Sequence, residues 1–167
     1  NGTRLGVTSQ TVDGPVTGAK GLTTAGGTHV PLIAKWPGKS ASGATCRDLI
    51  DFTDVFPTLS EAAGVPMPKD HPLDGRSFLP QIQGKTGNPR EWIFCHYAPK
   101  WGGRPHRRWV MDHRWKLYED GAFHDLRRDP EEKHPLEIIP PEATDVVKRF
   151  KAVLARMKNP DGTTEAK

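Results

Sequence analysis

One lysine set among glycines and threonines is the residue here best placed to do chemistry. Lys20 lies in Gly18-Ala19-Lys20-Gly21-Leu22-Thr23-Thr24-Ala25-Gly26-Gly27-Thr28-His29-Val30-Pro31. Glycines let a backbone approach a ligand closely, and a lysine in such a loop can hold an anionic oxygen as a point charge. The same residues also read as a solvated surface loop, and chemistry alone leaves both open. The stretch is not a Walker loop, because G-x-x-x-x-G-K-[ST] is absent. A second constellation runs from Lys100 to Trp109, with four cations, one histidine and two tryptophans in ten residues. Basic groups interleaved with aromatics suit single-stranded nucleic acid. A solvated hairpin loop whose tryptophans pack onto a sheet explains the same residues. His96, His106, His113, His124 and His134 lack a spacing such as H-x-x-x-H, which argues against a zinc site. His71, in a proline-rich turn, reads as a surface residue. Cys46 and Cys95 form no C-x-x-C, and read as two partly buried free thiols, with a single disulfide as the alternative.

Elements must position these residues. Residues 1–28 show no hydrophobic period of 2 or 3.6 and read as one long loop, ordered or not, of a length usually kept for function. The run from His29 to Trp36 is β-branched and apolar, ends at Pro37-Gly38, and predicts a buried strand. Phe52, Val55, Phe56, Leu59, Ala62 and Ala63 follow a helical period, with Thr53 as the expected N-cap, Pro57 in the first turn and Gly64 and Pro66 as the stop. Residues 65–90 are broken by prolines and glycines, leaving a short helix about Ser77–Gln83. Trp92–Tyr97, Arg107–Met111, Trp115–Tyr118 and Phe123–Leu126 predict an antiparallel meander. A helix over Glu142–Lys158, with Val146, Val147, Phe150, Val153, Leu154 and Met157 as its apolar stripe, should pack on one face of that sheet.

Composition bounds the rest. The chain has 167 residues, with 17 glycines and 16 prolines, room for about one loop-rich domain. No apolar run reaches the roughly 20 residues of a membrane-spanning helix. Net charge is +4, and residues 1–100 carry 10 basic and 8 acidic groups against 14 and 12 in residues 101–167. Charge so evenly spread names no partner.

Five ordered motifs add a resemblance. Residues 18–38 follow G-x-K-G-x-T-T-x-x-G-T-H-V-P-L-I-x-x-W-P-G, which resembles the signature of the sulfatase family. Asn1-Gly2 is similar to the end of that family's S-D-N-G segment, and Phe52–Leu59 with Ala63-Gly64 to its T-D-L-F-P-T-L helix. Asp74–Pro80 is similar to its D-G-x-S-L-x-P turn. Arg114–Tyr118, His124-Asp125-Leu126 and Asp129-Pro130-Glu131-Glu132 resemble its R-W-K-L, Y-D-L and D-P-x-E tail. The likeness is to the C-terminal portion of an alkaline-phosphatase-like sulfatase. It implies an α/β fold in which residues 1–90 form the C-terminal edge of the large domain. Residues 91–167 would form a small subdomain, a four-stranded antiparallel sheet with a C-terminal helix.

The resemblance implies hydrolysis of a sulfate ester, in the full enzyme, with calcium as cofactor and a formylglycine nucleophile. Neither cysteine sits in the C/S-x-P-x-R motif that supplies that nucleophile, so the chain, which opens on Asn1 without an initiator Met, reads as a fragment inactive by itself. Lys20 matches the family's sulfate-contacting lysine, and Asn1 its calcium-binding asparagine. His29, Arg104 and Arg107 are further substrate-side candidates, and His29 reads first as a loop support. In a sulfatase the 100–109 patch would meet a sulfated carbohydrate, arginine holding anions and tryptophan stacking on sugar faces. The alternatives are a phosphonate or phosphodiester hydrolase of the same superfamily, or a non-catalytic module binding sulfated glycan or, less favoured, nucleic acid. Relatives of this kind are often periplasmic, secreted or lysosomal. Two departures bear on the loop and the substrate: Thr24-Ala25-Gly26 lacks the acidic residue of many members, and Met111 stands where a basic residue is common.

Overall fold

The computed structural model describes residues 3–12, 14–70, 73–99 and 106–157. It has two compact units, one joining the chain up to Pro31 with the chain from Phe94 onward, the other formed by Leu32–Ile93. The segment carrying Lys20 thus groups with the C-terminal sheet. Among the described residues, no helix is long and apolar enough to cross a membrane.

In the first unit, the glycine- and threonine-rich start contains a hairpin that its sequence did not announce. Strand β1 (Thr8–Thr11) pairs antiparallel with β2 (Gly14–Thr17), in the register Thr8 to Thr17 and Thr11 to Gly14. The hydroxyls of Thr8 and Thr17 lie 2.9 Å apart across the ladder. Both strands are largely exposed, so no apolar alternation was required of them. A single helical turn, α1 (Ala25–Thr28), follows.

The predicted meander is present. Strands β3 (Ile93–Tyr97), β4 (Arg107–Met111), β5 (Trp115–Tyr118) and β6 (Phe123–Asp125) lie in that order in one sheet. β4 pairs antiparallel with β5 through Trp109–Tyr118, Val110–Leu117 and Met111–Lys116. β5 pairs with β6 through Trp115–Asp125, Lys116–His124 and Leu117–Phe123. Because side chains alternate across a strand, Val110, Leu117 and Phe123 share one face, and Trp109, Lys116, Tyr118 and His124 the other. The C-terminal helix α4 (Thr144–Arg156), entered by a 3-10 turn over Pro141–Ala143, packs on β4 and β5. Its stripe buries Val147, Phe150 and Val153 against the apolar sheet face. Each such side chain contributes about 1.5–3 kcal/mol by leaving water. Trp115 and Phe123 stack with ring centroids 5.2 Å apart.

The second unit holds α2 (Val55–Ala63) and the short α3 (Leu79–Ile82). The helix begins one turn earlier than α geometry does, with a 3-10 turn over Phe52–Asp54. Its cap is Asp51, not Thr53: the Asp51 carboxylate accepts from the Thr53 N–H at 2.9 Å, and Asp54 accepts from the Asp51 N–H at 2.9 Å. Aspartate wins because this reciprocal box satisfies two orphan donors at once. Asp54, 2% exposed, also accepts from the Arg76 N–H and from the Arg90 guanidinium. Thr58 donates to the Asp54 carbonyl and accepts from the Phe78 N–H at 3.0 Å. Gly75 passes so close to the Thr53 carbonyl that a Cβ there would collide with it. The T-D-x-F-P-T and D-G-x-S-F stretches are therefore stapled to each other by buried hydrogen bonds.

One expectation fails. His29–Trp36 is not a buried strand; it runs without regular structure, with Leu32 55% and Ile33 89% exposed. No described strand pairs with it, and an extended segment without a ladder partner is not a strand. For the same want of a partner the α2 stripe is open, with Phe52 76% and Leu59 63% exposed. Neither Cys46, exposed, nor Cys95, half-buried, is in a disulfide, against the disulfide alternative.

Candidate functional site

The Lys20 loop is built largely from backbone. The Gly18 N–H donates to the Val7 carbonyl at 2.8 Å, and the Lys20 N–H to the Thr3 carbonyl at 3.0 Å. Ala19 donates to the Gly26 carbonyl at 3.2 Å and Leu22 to the Ala19 carbonyl at 2.8 Å, closing the loop on itself. Gly27 sits where a Cβ would strike the carbonyl oxygens of Leu22 and Ala19, so the turn closes only around a residue with no side chain. Lys20 itself is exposed, and among the described residues its ammonium has no ion-pair partner. A cation held on an ordered loop and left unneutralised can receive an anion.

Side chains of the sheet fix this loop. Tyr97 on β3 donates its hydroxyl to the Gly21 carbonyl at 3.0 Å. Lys116 on β5 donates to the Thr23 carbonyl at 2.6 Å and to the Glu132 carboxylate at 2.9 Å. Tyr118, two residues along the same face, donates to the other Glu132 oxygen at 2.6 Å. That spends its single proton, so the Thr23 hydroxyl, 3.0 Å away, is the donor to the phenol oxygen. The ammonium of Lys116 lies 4.7 Å over the Trp109 ring and 4.8 Å from the centre of the Tyr118 ring. The Lys116 and Glu132 side chains are 1% and 2% exposed. Burial draws the Lys116 ammonium below its ordinary value, and the Glu132 carboxylate opposes that. Burial, and then the bond to Glu132, push the Tyr118 phenol well up. Glu132 has φ +56°, the left-handed region, alone among described non-glycine residues, at a cost of about 1–2 kcal/mol.

The other sequence candidates are scattered. His29 closes α1 with its backbone, its N–H donating to the Ala25 carbonyl at 2.8 Å, and its imidazole is exposed. Arg107 opens β4 with its guanidinium 5.2 Å over the Tyr118 ring, on the face that meets the Lys20 loop. Arg108, beside it, is committed to Glu119 at 2.7 Å. Trp109 is 1% exposed and belongs to the sheet, not to a stacking surface. Asn1, Arg104 and the rest of the 100–105 patch lie outside the described residues. Among the described residues no three of His, Cys, Asp and Glu cluster as a metal site would need.

Sequence reasoning missed the Lys116–Tyr118–Glu132–Thr23 network. The one available signal was the alternation within Trp115-Lys116-Leu117-Tyr118, which places a lysine and a tyrosine on the sheet face away from the helix.

The comparisons with known proteins bear directly on this geometry. The family model for N-sulphoglucosamine sulphohydrolase, C-terminal, matches residues 20–160, beginning at Lys20 and taking in the loop, the sheet and α4. The chain belongs to this sulfatase family. It is 43% identical over 68 residues to the ulvan-active sulfatase of Formosa agariphila, covering 41% of the chain and 13% of that relative. It is 27% identical over 171 residues to N-acetylgalactosamine-6-sulfatase of Canis lupus familiaris, covering 85% and 33%. Among solved structures, BT4656, in complex with its substrate D-glucosamine-2-N,6-O-disulfate, matches with a TM-score of 0.52 at 20% identity, covering 66% of this chain and 25% of that one. That likeness shows a shared fold. The sulfatase chain described here thus spans between about an eighth and a third of these relatives. Its α/β architecture, with the antiparallel four-stranded sheet and the C-terminal helix, is that of a sulfatase's C-terminal portion.

Proposed function

We propose that this chain is the C-terminal part of an enzyme hydrolysing sulfate esters, with Lys20 as the residue that grips the sulfate. The observation carrying the proposal is the exposed Lys20, without an ion-pair partner among the described residues, on a loop whose Thr23 carbonyl is held by the buried Lys116, inside a sulfatase family match that starts at that lysine. A preorganised cation of this kind stabilises charge as it builds on the sulfate and leaving oxygens in the transition state. Arg107, on the sheet face that meets the Lys20 loop, is our candidate to meet a second anionic group of the substrate. A sulfated carbohydrate is the substrate class we favour, because the relatives include an ulvan-active sulfatase and a sulfatase named for N-acetylgalactosamine 6-sulfate, and because BT4656 binds a disulfated glucosamine.

In this reading calcium would supply Lewis acidity and a formylglycine outside this chain the nucleophile. Asn1, the one calcium ligand matched by motif, lies outside the described residues, which offer no acidic cluster of their own. What the described residues do is bind and orient: Lys20 holds a non-bridging oxygen, and the sheet fixes its loop. Neither Cys46 nor Cys95 stands in C/S-x-P-x-R, so the 167-residue chain alone turns over no sulfate ester. The test is sulfate release from sulfated monosaccharides, against phosphate release from matched phosphate esters, by the full-length protein that carries this chain. Preference for sulfate supports the proposal. Preference for phosphate, or a measurable rate from the purified 167-residue chain, overturns it.

A further inference from the structure

The first unit carries one buried charged cluster with no structural necessity of its own. Lys116 and Glu132 are almost fully buried side by side, where apolar residues of similar size would fill the space without desolvating two charges. Glu132 reaches its place only through a left-handed backbone that glutamate disfavours. Other polar groups of the sheet are tied to nearby turns, as Asp125 is to Arg114 at 3.0 Å. The Lys116 ammonium instead divides its donors between Glu132 and a backbone carbonyl 93 residues away, that of Thr23, three positions past Lys20. Tyr118 takes the Thr23 hydroxyl and the second Glu132 oxygen. Both groups that Glu132 binds, the Lys116 ammonium and the Tyr118 phenol, therefore contact one residue of the Lys20 loop, Thr23. The Tyr97–Gly21 bond holds the loop nearer the lysine.

We propose that Lys116, Tyr118 and Glu132 are positioning residues: together they form a strut from the C-terminal sheet that sets the Lys20 loop in its anion-binding conformation. The strut acts on Lys20 through the Thr23 carbonyl and hydroxyl and touches no substrate. Glu132 orients the ammonium and the phenol, so that one buried carboxylate aligns both contacts to Thr23. This inference rests on the proposed role of Lys20, but its structural half stands independently of the chemistry.

The experiment is made in the full-length protein. A triple variant K116M/Y118F/E132L replaces the strut by apolar groups of similar volume, K116R keeps the charge, and Y118F alone removes one contact. Amide hydrogen exchange over residues 18–28 is read beside thermal unfolding and kcat/KM for a sulfate ester. The triple variant should unfold within a few degrees of the parent, exchange loop amides at least tenfold faster, and lose about 10- to 100-fold in kcat/KM, the scale of a misplaced catalytic group. K116R should recover at least part of the exchange protection. Should the triple variant not fold, Y118F decides, with a smaller rise in exchange over the same amides. Unchanged exchange over 18–28 overturns the strut. Faster exchange with unchanged kcat/KM overturns its link to Lys20. If the parent releases no sulfate from any ester, the proposed function falls, and the exchange result still decides whether the strut exists.

Discussion

Asp54 offers the sharpest stability test, because its buried carboxylate is engaged on every side within its own unit. Its oxygens are taken by the Arg90 guanidinium, the Arg76 N–H and the Asp51 N–H, and Arg90 also reaches the Thr53 hydroxyl at 3.1 Å and the Asp74 carbonyl at 2.8 Å. Arg90→Met removes the guanidinium and leaves a carboxylate 2% exposed with only the Arg76 and Asp51 N–H groups to face its charge. Removing one partner of a buried pair costs about 3–5 kcal/mol. For a chain of 167 residues that lowers the melting temperature by about 6–20 °C. The double variant Arg90→Met/Asp54→Leu should recover more than 1 kcal/mol of the summed single losses, since neighbours in one network do not add. The sign with pH follows from the same contacts. Burial works to raise the Asp54 carboxyl, but the bonds from Arg90, Arg76 and Asp51 outweigh it and hold it below the ordinary 3.8. A depressed carboxylate contributes stability that is fully present well above pH 3.8 and is lost as pH falls below it. Urea unfolding of the four members of the cycle between pH 3 and 7 reads both effects. A loss under about 1 kcal/mol for Arg90→Met, or single losses that simply add, would refute the reasoning.

Other perturbations have equally definite outcomes. Phe150→Ala empties the centre of the α4–sheet core, where Phe150 is 0% exposed, and should cost about 3–5 kcal/mol in denaturant unfolding, with Phe150→Leu costing less. Gly27→Val should open the Lys20 loop by collision with the Leu22 and Ala19 carbonyls, seen as faster amide exchange over 18–28 with α4 amides unchanged. Arg107→Ala should raise KM for a disulfated sugar more than for a monosulfated one in the full-length protein. An equal change for both removes Arg107 from the substrate site.

The C-terminal half was readable because its code is local. Strands Arg107–Met111 and Trp115–Tyr118 fall where the aromatic and β-branched runs lie, and α4 where the 3.6-residue stripe lies, because each buries its apolar side against a neighbour in the same unit. His29–Trp36 misled for the opposite reason: its pattern asks for partners that no described residue supplies, and Leu32 and Ile33 are left exposed. The β1–β2 hairpin was hidden because an exposed ladder needs no hydrophobic alternation. At the candidate site, the type and setting of Lys20 left an anion ligand and a solvated surface lysine both open, and the family resemblance favoured the first. The residues that hold its loop were not legible, because Thr23 and Lys116 are joined only by the fold. Asp51 displaced Thr53 as the cap through a reciprocal bond with Asp54 that spacing alone does not rank.

The central claim is that Lys20 grips the sulfate group while its ester bond breaks. Its most direct test is kcat/KM for sulfate-ester hydrolysis by the full-length protein with Lys20→Ala, measured beside the parent at matched melting temperature. Losing a preorganised charge at the reacting group predicts a fall of about 100- to 1,000-fold. A variant within twofold of the parent would contradict the account.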